Sequence, residues 1–123
     1  MPGLDTLKKR SEYQRVRGGG RCATASFVLE GKARPQPDRF GGPRFGFTVT
    51  KKLGGAVVRN RIRRRLKAAL TETMSGAAVP GFDYVIVARS PAFDCDYKLL
   101  TIDFVTAFKR VHVPPARKSP SER

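Results

Sequence analysis

The segment Arg59-Asn60-Arg61-Ile62-Arg63-Arg64-Arg65-Leu66-Lys67 packs six cations into nine residues and spares two apolar positions, Ile62 and Leu66. Those two lie four apart, the spacing that an α-helix brings onto one face. Charges of one sign at i+3 and i+4 repel each other on such a helix, and the next acid along the chain is Glu72. A chain containing this helix therefore needs a hydrophobic body to anchor one side and a polyanion to relieve the other. Phosphate fits that requirement, because arginine outnumbers lysine in the run and a guanidinium offers planar, bidentate donors.

The remaining sequence supplies the body. At 123 residues, 40% of them hydrophobic, the chain is the size of one domain with a real core. Its 25 Lys and Arg against 10 Asp and Glu leave a formal charge of +15, which points to a nucleic acid rather than to a solvated helix face, where acids would alternate with bases. A membrane partner has little support, since no apolar run approaches the roughly 20 residues of a span. Met1 to Arg10 lacks the apolar stretch of a secretory signal, so a cytoplasmic location is expected. Cys22 and Cys95 stand outside any CxxC or Cys/His ligand spacing and are expected to be reduced thiols rather than zinc ligands.

Patterning divides the chain into elements. A basic amphipathic helix is expected from Thr6 to Arg17, ended by Gly18-Gly19-Gly20. Extended structure follows from Arg21 to Glu30, then a surface loop from Gly31 to Pro43. Phe45, Phe47 and Val49 alternate with polar residues in a strand from Arg44 to Thr50. Past the Lys51-Lys52-Leu53-Gly54-Gly55 turn, a long helix runs from Ala56 to Met74 with Val58, Ile62, Leu66, Ala69 and Leu70 on one stripe. On that helix Asn60, Arg64 and Lys67 point away from the core, Arg61 and Arg63 flank them, and Arg59 and Arg65 fall nearer the stripe. Phe82 to Ala88 reads as a strand covered on both faces, and a last helix starts near Asp96 with Leu100, Phe104, Ala107, Phe108 and Val111 facing inward. The order predicts an α+β sandwich in one domain, 1–113, followed by a disordered basic tail, 114–123.

The run Thr48 to Leu66, TVTKKLGGAVVRNRIRRRL, resembles the signature of the bacterial ribonuclease P protein family: strand, double lysine, glycine, then an Arg-Asn-Arg helix. Leu7-Lys8-Lys9-Arg10 with Tyr13 and Val16 is similar to the family's opening helix, and Asp83 to Arg89 to its last strand. The resemblance covers about Leu7 to Val111 and implies an αβββαβα order, with a mixed four-stranded sheet and a left-handed βαβ crossover, like the second domain of ribosomal protein S5. It also implies a partner and a reaction. The protein would join a catalytic RNA that removes the 5′ leader from precursor tRNA with Mg²⁺ bound mainly by the RNA. Matched positions put Lys51, Lys52, Arg59, Asn60, Arg61, Arg63, Arg64 and Lys67 at the RNA, and Tyr13, Arg17 and Phe27 in a cleft for the single-stranded leader. Gly55 stands where the family commonly has Asn, and Arg17 and Glu30 where many relatives carry aromatics.

Protein-borne catalysis finds no residue set. His112, the one histidine, sits beside prolines where a helix-end role is expected, and Asp94 and Asp96 precede a helix and read as caps. Lys51 to Gly55 lacks the glycine spacing and Gly-Lys-Ser/Thr ending of a nucleotide-binding loop. The competing readings are a basic ribosomal or ribosome-assembly protein, which would need no leader cleft, and a metal-dependent nuclease, which would need acids that are missing.

Overall fold

The structure, a computed structural model, describes residues 5–35 and 41–112. Its elements are α1 (Arg10–Val16), β1 (Gly20–Ala23), β2 (Phe27–Ala33), β3 (Arg44–Thr48), α2 (Ala56–Thr73), β4 (Phe82–Ala88) and α3 (Tyr97–Val111), the expected αβββαβα order. The four strands lie in the order β1-β2-β4-β3. β2 is antiparallel to both neighbours, whereas β3 and β4 run parallel and α2 makes the crossover between them. The expected tail, 114–123, lies outside the described residues.

Strand alternation sends Phe27 and Leu29 of β2, Phe45 of β3, and Tyr84 and Ile86 of β4 to one face, where Ile62, Leu66 and Leu70 of α2 and Leu100, Phe104 and Phe108 of α3 bury them. Phe27 stacks on Phe104 with ring centroids 4.3 Å apart. On the opposite face α1 packs alone, with Leu7 and Val16 buried against Val85 and with Tyr13 and Val87 at the margin. The sheet is thus covered fully on one side and in part on the other.

Several boundaries differ from the sequence expectation: β2 runs on to Ala33, into the loop expected from Gly31, because residues 31–33 pair with β4, and β3 ends at Thr48 rather than Thr50. The stretch Arg21 to Glu30 is a hairpin rather than one strand, because Thr24 closes a turn: its Oγ1 accepts from the Ser26 and Phe27 amides at 3.2 and 3.1 Å. No Gly, Pro or Asn announces that turn. Helix α1 starts at Arg10, since residues 5–7 run extended against β3, with Leu7 N–H donating to the Phe45 carbonyl at 2.9 Å. Glu12 then starts the helix by accepting the Lys8 and Lys9 amides at 2.8 and 3.0 Å. Those two bonds hold its carboxyl below the usual range.

Asp83 is the buried polar centre of the α1 side. Its carboxylate is 1% exposed and receives Arg15 at 2.5 Å, Arg34 at 2.8 Å and Arg44 at 2.8 and 2.9 Å. Arg34, itself buried, also donates to the Phe82 and Gly42 carbonyls, and Arg44 reaches Glu12. Desolvation raises the Asp83 pKa, but the three guanidinium groups outweigh it and hold the carboxyl below its ordinary value. This cluster ties α1 to β3 and β4.

Next to Asp83 on β4, and on the opposite face of the sheet, the Tyr84 hydroxyl accepts from the Val79 amide at 2.9 Å and meets His112 Nε2 at 2.8 Å. Burial disfavours the charged imidazole, so the neutral ring shares this hydrogen bond, and its tautomer sets which partner donates. Burial pushes the Tyr84 phenol up to about 12 and the imidazole below its ordinary 6.5. The unfolded chain binds that imidazole proton more readily, so stability is full above about pH 6.5 and declines below it, levelling off under the folded pKa. Because the chain has one histidine, the urea midpoint is expected to drop between roughly pH 7 and pH 5.5 in the parent and to stay level in His112→Gln. A parent profile that stays level would contradict the assignment.

Candidate nucleic-acid interface

Helix α2 is anchored by Ile62, Leu66, Ala69 and Leu70, all fully buried, and this fixes which residues its other face presents. Asn60, Arg63, Arg64 and Lys67 are exposed and, with Val57, line a shallow depression of about 500 Å³. Arg63 leans on the Asn60 amide oxygen at 3.4 Å. Arg64 and Lys67 have no hydrogen bond or ion pair from their side chains among the described residues, and no ion pair there involves any α2 cation. Their charge is available to an external anion.

The other α2 arginines are committed within the protein. Arg61 lies over the Phe93 ring, 5.0 Å from its centroid, and donates to the Phe93 carbonyl at 2.8 Å. Arg65 donates to the Ala92 carbonyl at 2.7 Å and to that of Cys95. Arg59 turns back to the Gly54 carbonyl at 3.2 Å. Arg61 and Arg65 thus clamp α2 to the 3-10 turn Ser90–Phe93 that leads into α3. Within the expected set, Arg59 and Arg61 are the members that the structure uses first for its own scaffolding.

Lys51 and Lys52 are exposed on a 3-10 turn, Lys51–Leu53, immediately before α2. Gly54 follows at φ +142°, where a Cβ would press on Val58, so the tight entry to the helix depends on that glycine. The first turn of α2 holds no acid. The two lysines and the free amides of the helix start therefore present one sign of potential.

On the opposite side of the molecule, the sheet beside α1 forms the second expected surface. The registers place Ala23, Val28, Val87 and Thr48 in one row across the face that α1 covers only in part, with Arg21 and Glu30 in the adjoining row. Tyr13 is half-buried there; its ring lies on Gly46, where a Cβ would come within 2.6 Å of it. Its hydroxyl has no partner among the described residues. Arg17 is exposed at the end of α1. Phe27 is a correction: it is fully buried under α3 on the other face of the sheet and cannot line this cleft. Positions 27 and 30 have opposite parity in a strand, so Glu30 and Phe27 could not both have faced one cleft, and Val28 takes that place.

Among the described residues no three His, Cys, Asp or Glu side chains gather where they could hold a metal ion. Asp96 caps α3 by accepting the Lys98 amide at 3.1 Å, as the sequence predicts. Cys22 is buried and Cys95 half-buried, both free. No helix among the described residues is long and apolar enough to cross a membrane.

A small α+β scaffold that buries one stripe of α2 against its core and turns the helix's cations outward without an acidic partner has the form of a nucleic-acid-binding protein. The ribonuclease P family profile matches residues 1–112. Ribonuclease P protein components from Brucella suis and Paramagnetospirillum magneticum are 38% and 39% identical to the chain, covering 95% and 88% of it and 84% and 83% of their own lengths. The ribonuclease P protein of Staphylococcus aureus superposes with a TM-score of 0.67 at 27% identity, over 86% of this chain and 95% of that one. That of Thermotoga maritima, at 20% identity, shares the fold with a TM-score of 0.72 over 89% and 99%. The chain belongs to the ribonuclease P protein family.

Proposed function

We propose that the chain is the protein subunit of an RNA-based endoribonuclease, ribonuclease P, in the cytoplasm, and that it positions RNA while the RNA subunit carries the chemistry. The observation that supports this reading best is the α2 face of Asn60, Arg63, Arg64 and Lys67, whose cations have no acidic partner among the described residues. Phosphates of the catalytic RNA would take that place, with Lys51 and Lys52 extending the contact. Arg59 and Arg61 hold the helix in position and reach the RNA at its edges. The 5′ leader of precursor tRNA would lie across the sheet beside α1, with Tyr13 stacking on a base and Arg17 at a phosphate.

Mg²⁺ held mainly by the RNA would activate the attacking water and stabilise the leaving oxygen. The protein's part is electrostatic. By neutralising phosphates it lets RNA strands approach and lowers the Mg²⁺ concentration that the ribozyme needs. Cleavage of precursor tRNA by the RNA subunit at low Mg²⁺ is expected to require the protein, and the protein alone is expected to leave the substrate intact. Cleavage by protein alone would overturn this division of labour.

A further inference from the structure

Beside the α2 face lies a second depression, of about 570 Å³, lined by Arg64, Lys67, Ala68, Thr71, Glu72 and Tyr97. It shares Arg64 and Lys67 with the first, so those two cations border both depressions. Tyr97, the first residue of α3, lines the second depression and is 37% exposed. Its hydroxyl donates to the exposed Glu72 carboxylate at 3.2 Å. The clamp of Arg61 and Arg65 on the turn before α3 sets the distance between Tyr97 and the cations.

We infer that Tyr97 is a further RNA-binding residue: its ring is a stacking platform for an unpaired base whose flanking phosphates are held by Arg64 and Lys67. The inference rests on the proposed RNA-binding role of α2 and extends it onto α3. Charge selects the occupant. Two cations without internal partners line the same depression as the ring, and its one acid, Glu72, is engaged by the Tyr97 hydroxyl; the set suits a nucleotide, with a phosphate for the cations and a flat apolar base for the phenol face. A duplex would offer phosphates but no free base, so the site favours a looped or bulged segment.

The chain contains no tryptophan, so Tyr97→Trp introduces a single indole reporter at the site. Titrating this variant with the ribonuclease P RNA transcript is expected to quench its emission along the same curve as a mobility-shift titration. Tyr97→Leu, which keeps bulk but loses the ring, is expected to weaken binding about tenfold, within the range found for one base on one aromatic. Tyr97→Phe should bind within about twofold of the parent, and the salt dependence of binding should have the same slope in all three, because no phosphate contact is removed. Parent-like affinity in Tyr97→Leu with unquenched Tyr97→Trp emission, while the parent still binds, would overturn this site and leave the α2 interface standing. Failure of the parent itself to bind the transcript would sink both.

Discussion

Replacing Asp83 by Asn is expected to destabilise the fold by about 3 kcal/mol or more, the cost of removing one partner from a buried ionic cluster. Three guanidinium groups converge on that carboxylate, and one of them, Arg34, is as buried as its partner. Asn supplies one acceptor oxygen in place of two and no charge, so the three guanidinium groups lose the carboxylate's charge and part of its hydrogen bonding. Against a typical total of about 5–15 kcal/mol the loss is large. It should appear as a lowered urea midpoint with the m-value unchanged. Arg15→Ala is the control: Arg15 is about one-third exposed, and its loss should cost no more than about 1 kcal/mol. The pH dependence has a definite sign. The folded pKa of Asp83 is depressed, so its stabilisation is present above the unfolded value of 3.8 and is lost as pH falls through the lower folded value. The parent should therefore lose stability in acid more steeply than Asp83→Asn, and parallel profiles would contradict the role assigned to the cluster.

The second large effect concerns binding. Substituting Arg63, Arg64 and Lys67 together by Ala is expected to reduce affinity for the ribonuclease P RNA by two to three orders of magnitude, roughly the effect of losing about three phosphate contacts near physiological salt. Helix content and urea midpoint should be kept or improved, because three mutually repelling charges leave an exposed helix face and Ala has the higher helix propensity. The same substitution at Arg61 and Arg65 should behave in the opposite way. Those side chains hold the turn before α3, so their loss should destabilise the fold. Comparable RNA affinity in the triple variant and the parent would refute the assignment of this face.

Much of this was legible in the residues. The spacing of Ile62, Leu66, Ala69 and Leu70 predicts α2 to within one residue of its observed end at Thr73, and the Phe82–Ala88 strand has the expected bounds. The outward set Asn60, Arg64 and Lys67 follows from the same helical projection, and these residues do line one depression. What stayed hidden depends on side-chain choices that periodicity does not encode. Arginines near the edge of a stripe can reach solvent or turn to a carbonyl, and Arg59, Arg61 and Arg65 do the latter. The Asp83 cluster joins residues up to 68 positions apart, and only the parallel pairing of β3 with β4 sets Arg44 opposite Asp83. The hairpin at Thr24 is closed by a side-chain hydroxyl where a glycine would have been the readable signal. Phe27 was within reach, since strict alternation from Leu29 already puts it on the core face.

The most direct test of the account is the salt dependence of binding to the ribonuclease P RNA, measured for the parent and for the triple α2 variant. The plot of log affinity against log salt is expected to be steep for the parent and shallower by roughly two to three for the variant, as the loss of about three phosphate contacts requires. Equal slopes for the two proteins would show that this helix face does not meet the RNA backbone.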